Sequence, residues 1–272
     1  MIAAAKFVTD CRERRLGVLA TEVHELQAVL PEHTFFAILV SLLVIVFALC
    51  ARAGLLRAQD PTVPEEKLGA RNITELLLEY VVVRQSDAII GTAGRKYVPY
   101  FASFFFFILF SNLMGLLPGF VPPTGNLNTT LGLALVSFVG YNVIGVREQG
   151  MSYFKHFIGP MTHLPGEGII SKLAFVPVLL ISVLFFLILE LFSHGFRPVS
   201  LSLRLFGNMM GDHEVIGAFI GLTKLVVPVV FYLMGTLVSV IQAFVFMLLS
   251  MIYVALAVSG GHEEEHGPAQ KL

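Results

Sequence analysis

Apolar residues in this chain fall in long uninterrupted blocks, not in the short amphipathic pieces that fold into a soluble core. Residues 34–51 contain no charged side chain; at about 1.5 Å per residue such a helix just crosses a hydrocarbon layer of roughly 30 Å. This predicts a first transmembrane helix over 34–56, preceded by an N-terminal segment, residues 1–33. The block has no small-residue cleavage signal behind it, so it is expected to stay as a span, not to be removed as a leader. Residues 97–146 again lack Asp, Glu, Lys, Arg and His, and PGFVPPTGN at 118–126 divides them. That pattern predicts a hairpin of two spans, 97–117 and 128–147. Residues 225–258 are uncharged, and as a helix would reach about 50 Å, too long to stand upright. This helix must tilt steeply or bend, with Pro228 and Gly235 the places for a bend.

Two polar stretches separate these blocks. Residues 52–96 mix both charges and contain Asp60-Pro61 and Pro64; within them, 72–84 places Leu76, Leu77, Tyr80, Val81 and Val83 among polar positions, which predicts one amphipathic helix at the membrane interface. Residues 147–172 contain Gly159-Pro160 and Pro165-Gly166, which break any continuous helix and predict a connector. Basic residues concentrate in these two stretches and are missing from 118–126, so both polar loops are assigned to the cytoplasm. With five spans the N-terminus is then outside and the tail 259–272 inside. The fold class expected is an all-α integral membrane protein in one membrane domain, residues 1–272. It has about five transmembrane helices plus one interfacial amphipathic helix, the last two spans being long and steeply tilted.

Composition agrees. Of 272 residues 56% are apolar and only 14% charged, with formal net charge −1, against about 25% charged in ordinary soluble domains. No basic surface points to nucleic acid. Cys11 and Cys50 are the only cysteines, and their positions suggest neither a disulfide nor a metal site. No internal repeat is evident, which counts against the repeat-built transporter folds.

One block breaks the apolar rule. Within the helix expected over 169–222, the stretch between Glu190 and Lys224 places Glu190, His194, Arg197, Arg204, Asp212, His213 and Glu214 in an otherwise apolar setting. At about 100° per residue, Glu190, Ser193, His194, Arg197, Ser200, Asn208 and Gly211 fall on the same side of a helix as Arg204, while Leu191, Phe206, Met209 and His213 lie opposite. Pro198 could kink that helix. A charge at membrane depth costs about 2.5–3.5 kcal/mol on insertion scales, so Arg204 needs a partner. The following apolar block offers no acid, which leaves Glu190 at a distance, water, or a carboxylate of another chain. Arg197, closer to the cytoplasmic side, can snorkel instead. Glu190, in the middle of an apolar run, is a candidate proton-exchanging group or else a structural hydrogen-bonding one. Asp212, His213 and Glu214 mark either a wet vestibule or the polar end of the helix. Asn112 and Gln242 are lone amides in apolar spans, read first as interhelical hydrogen bonds. His213-Glu214 has Gly217 where a zinc protease helix carries its second histidine, and HEEEH at 262–266 reads as a solvated tail. No metal and no cofactor is expected.

The stretches SLSLRLFGNMMGDHE (200–214) and IQAFVFMLLSMIY (241–253), with NLMGLLPGFVPPTGNLNTTLGLAL (112–135) and ELFSHGFRPVSL (190–201) upstream, resemble subunit a of F-type ATP synthases. The likeness runs from about residue 70 to 258. It implies an ion-translocating stator subunit, not an enzyme on its own, with two aqueous half-channels. Arg204 would be the essential stator charge facing a rotating ring of c subunits, with Asn208 one turn along and Gln242 beside it. Glu190 and Ser193 would line the cytoplasmic half-channel and His213 the outer one; His194 and Asn112 are placed as supporting residues.

This sequence departs from the family at Gly235, seven residues before Gln242, where some members carry His or Glu that works with the group at the His213 position. The outer path is then expected to use Glu214 or Asp212. Implied partners are the c ring, the peripheral-stalk b subunits, the rest of the ATP synthase and lipid. No nucleotide is expected to bind directly, since GxxxxGK[ST] is absent. The expected location is a bacterial plasma membrane, and the coupling ion is H⁺ or Na⁺. A stand-alone proton-coupled transporter and a purely structural subunit are the alternatives; the latter predicts that Arg204→Ala is tolerated.

Overall fold

A computed structural model describes residues 31–57, 69–117, 120–150, 153, 169–222 and 226–259. Residues 1–30 with Cys11, the breakers at 60–64, most of the 151–168 connector and the tail with HEEEH lie outside the described residues. Every regular element among those described is helical.

The first apolar block forms α1, Glu32–Arg57. Next, α2 (Ala70–Leu77), a π-helical stretch Leu78–Val83 and α3 (Arg84–Ile89) follow one another without a break. The structure therefore differs from the single helix expected at 72–84: the rod extends further at both ends and carries an extra residue per turn in its middle, under the β-branched run Val81, Val82 and Val83. Arg71 is buried between this rod and α1, with its Nε 2.8 Å from Glu75 Oε1. The rod then reverses through Gly91, whose φ of +86° suits glycine. Gly94 follows, where an added Cβ would stand 2.7 Å from Ser86 Oγ, and a 3₁₀ turn, Thr92–Tyr97, leads into α4, Val98–Gly115.

A short 3₁₀ turn, Pro123–Gly125, and the Asn126 cap, whose side chain accepts from the Asn128 amide at 2.9 Å, start α5, Leu127–Gln149. Gly150 at φ +60° ends it. The two longest helices are α6, Ile169–Leu222, of 54 residues and α7, Val226–Ser259, of 34. Neither is interrupted: α6 passes through Pro198, and α7 through Pro228 and Gly235. Pro228 lies in the first turn of α7, where the missing amide is unneeded. At roughly 80 Å and 50 Å these helices exceed a 30 Å hydrocarbon layer. Among the described residues, five helical stretches are long and apolar enough to cross a membrane, beginning at Glu32, Thr92, Leu127, Ile181 and Val229.

The core lies where α4, α5, α6 and α7 meet. It holds Phe101, Phe105 and Ile108 of α4, Tyr141 of α5, Leu201 and Leu205 of α6, and Phe246, Met247, Met251 and Val254 of α7, all close to fully buried. Hydroxyl pairs pin the helices at membrane depth: Thr130 to Ser202 at 3.1 Å and Ser137 to Ser250 at 2.9 Å. α1 packs on α2 and on α4.

Candidate ion path

On α6 the residues His194, Pro198, Leu201, Ser202, Leu205 and Met209 are buried, at spacings of three and four that define one inward face. Ser193, Ser200, Arg204, Asn208 and Gly211 are exposed. The structure thus corrects the single polar side drawn from the sequence: His194 is about 80° around the helix from Arg204 and turns into the bundle, whereas Arg204 turns out of it.

Arg204 is exposed on a helix whose other exposed side chains are largely apolar, among them Val199, Leu203 and Met210. Among the described residues no carboxylate pairs with its guanidinium. Glu190, one of the partners considered for it, instead places Oε1 3.0 Å from His194 Nε2. That leaves water or another chain. Asn208, one turn on, donates from Nδ2 to Gln242 Oε1 of α7 at 2.6 Å, so both amides do make the interhelical bond expected of Gln242. Gln242 Nε2 is buried and has no hydrogen-bond partner among the described residues.

Towards the residue-190 end, His194 is 8% exposed and its Nδ1 lies 3.0 Å from the hydroxyl of Tyr141 on α5. Arg197 does not extend freely to an interface; its guanidinium carbon lies 5.8 Å from the Tyr141 ring centre and 5.2 Å from that of Tyr253 on α7, within cation–π range. Tyr153, just past α5, donates to Asn142 Oδ1 at 2.8 Å. Burial pushes the Tyr153 phenol up to about 12, so it keeps its proton at neutral pH. Tyr141 and Tyr253 were not singled out in the sequence, where a tyrosine in an apolar run reads as packing. The available signal is that a buried Tyr hydroxyl needs a partner.

At the other end, Asp212 and His213 are half-buried and Glu214 is exposed. Asp212 Oδ2 and His213 Nε2 are buried without hydrogen-bond partners in the described residues. A Cβ at Gly235 would lie 3.9 Å from Asp212 Oδ2 and 2.9 Å from Leu116. Gly235 therefore faces Asp212, while Leu116 closes over the place that a side chain would take. Asn112 is buried and accepts from Thr124 Oγ1 at 2.8 Å; it ties α4 to the turn before α5, not to a neighbouring helix.

These features define a class: a multi-pass, all-α membrane protein with ionisable groups threaded along one long helix and a cation facing outward at membrane depth. The comparisons with known proteins are specific. Residues 34–255 match the family of the ATP synthase A chain. "ATP synthase subunit a" of Bdellovibrio bacteriovorus is 45% identical over 213 residues, 78% of this chain and 85% of that protein. "ATP synthase subunit a 1" of Syntrophotalea carbinolica is 45% identical over 194 residues, 71% and 75% of the two chains, and "ATP synthase subunit a" of Geotalea uraniireducens is 40% identical over 227 residues, 82% and 86%. The chain belongs to the ATP synthase subunit a family.

Proposed function

We propose that this chain is the ion-translocating stator subunit of a rotary ATP synthase, in which Arg204 faces a ring of c subunits and two aqueous half-paths reach it from opposite sides. The observation that carries the reading is the outward, acid-free setting of Arg204 on a membrane-spanning helix. A cation there is costly unless a carboxylate comes to it from outside the chain. Beside the guanidinium a ring carboxylate is favoured in its ionised form and gives up its proton; in lipid it is favoured protonated and takes one. Arg204 also repels a cation that would pass directly between the half-paths. Each proton crossing about 100 mV yields roughly 2.3 kcal/mol, so several are gathered for each ATP made elsewhere in the assembly.

In this reading Glu190, with Ser193, serves the cytoplasmic half-path. His213 serves the outer one, together with Asp212, whose free oxygen fills the role vacant at Gly235; exposed Glu214 is not required. The Asn208–Gln242 bond holds the α6–α7 surface that the ring passes. The rod over 70–89 lies at the cytoplasmic interface, the N-terminus is outside, and peripheral-stalk b subunits keep the chain from turning with the ring. The host membrane is a bacterial plasma membrane.

The test is ATP-driven acidification of inverted vesicles carrying the whole complex, wild type against Arg204→Ala. Pumping is expected to vanish while assembly persists. Pumping near the wild-type rate would remove the mechanism and leave a structural subunit.

A further inference from the structure

Glu190 is held from within the bundle. Its Oε1 is 3.0 Å from His194 Nε2, one helical turn away, and the other imidazole nitrogen is 3.0 Å from the Tyr141 hydroxyl. Tyr141 is 1% exposed and His194 8%. If Tyr141 donates to Nδ1, the remaining ring proton is on Nε2 and is donated to the carboxylate, so one phenol sets the tautomer of the imidazole that grips the acid. The same contacts accept an added proton. Shared between Glu190 and His194, it gives either a carboxylic acid beside a neutral ring or a carboxylate beside an imidazolium, with Tyr141 then accepting from Nδ1–H.

Among the described residues, the ionisable groups near this pair include Arg197 on the same helix, lying over the Tyr141 and Tyr253 rings, the Tyr253 phenol on α7, and Tyr153 beyond α5.

We propose that Glu190 and His194 exchange protons as one coupled unit, with Tyr141 as the positioning residue that orients the imidazole. The proposal rests on the reading above that Glu190 serves the cytoplasmic half-path. A proton from cytoplasmic water adds to the pair and later leaves it for the ring carboxylate, restoring the starting state. The apparent pH midpoint of uptake then belongs to the pair and not to Glu190 alone.

Inverted vesicles expose the cytoplasmic face to the medium, so medium pH titrates this site directly. The initial rate of interior acidification per ATP hydrolysed is measured against medium pH for wild type, His194→Gln, His194→Leu and Tyr141→Phe. His194→Gln keeps an N–H that can reach Glu190 but cannot share a proton, so its pH midpoint is expected to move by about one unit. His194→Leu is expected to move it at least as far, and Tyr141→Phe less. A His194→Gln profile that superimposes on wild type, even at a lower rate, overturns the proposal, and this variant decides the matter should the Leu variant fail to assemble. Arg204→Ala in the same vesicles separates the two ideas: if it still pumps, the stator reading fails, whatever the histidine variants do.

Discussion

Gly140 offers a sharp test of how α5 is seated. A Cβ there would stand 2.2 Å from the Tyr100 hydroxyl and 2.7 Å from its ring carbon Cζ, so Gly140→Ala forces the Tyr100 ring aside. That ring donates to the Ser137 carbonyl at 3.2 Å and meets Phe104 edge-on at 4.9 Å between centres. Losing the hydrogen bond costs about 1 kcal/mol, and losing the aromatic contact about 0.5–1.5 kcal/mol. Against this, alanine in place of glycine favours a helix by about 1 kcal/mol. The net expectation is a destabilisation of about 1 kcal/mol. In a Tyr100→Ala background the obstacle is gone, and Gly140→Ala should become neutral or stabilising by up to about 1 kcal/mol. The assay is the temperature at which the chain aggregates from the complex in nanodiscs, for the four combinations. Equal destabilisation in both backgrounds would refute the steric account. Because Tyr141 is the next residue, Gly140→Ala should also disturb its contact with His194, visible as lower pumping per ATP.

The Asn208–Gln242 bond should give a coupling energy of about 0.6 kcal/mol, and no more than about 2, in a double-alanine cycle read by the same melting assay; additivity would show that it does not hold α6 to α7. Asp212→Asn is expected to reduce pumping at least tenfold and Glu214→Gln less than twofold; the reverse order would assign the outer path to Glu214. Arg95 donates to Asp87 at 2.8–3.3 Å and holds its carboxyl below the usual range. That contribution is complete above about pH 4, the ordinary carboxylate value, and is lost as pH falls through the lowered one. Hydrogen-exchange protection across 84–97, corrected for the intrinsic pH dependence of amide exchange, should therefore hold at pH 5, fall in stronger acid, and lose this acid-dependent step in Arg95→Gln.

The spans were legible because a hydrocarbon solvent demands about 20 uncharged residues per crossing, a signal that needs no tertiary information. Arg204 was legible for the complementary reason: charge in such a block is expensive. The π-helical turn at 78–83 was not, since one extra residue per turn leaves no compositional trace. Pro198 signals a break only where the freed carbonyl goes unsatisfied, and the sequence cannot show what surrounds it. The Glu190–His194 contact could be read from its four-residue spacing. Tyr141, 53 residues away in sequence, reaches the histidine only through the packing of α5 on α6. The inward turn of His194 is not legible in the sequence, because one side of a helix is wider than one face and 80° is enough to separate the bundle interior from its exterior.

Because α6 runs unbroken, covalent geometry fixes how its groups are spaced. Glu190 and His213 are 23 residues apart, roughly 35 Å along the axis, and Arg204 divides that interval 14 to 9. The helix acts as a ruler as much as a wall. One residue inserted between Arg204 and His213 would leave every functional group present, yet swing all that follows by about 100° and advance it by about 1.5 Å. Substitutions that keep helix length can be absorbed locally, whereas a change in count moves one end of the path against the other.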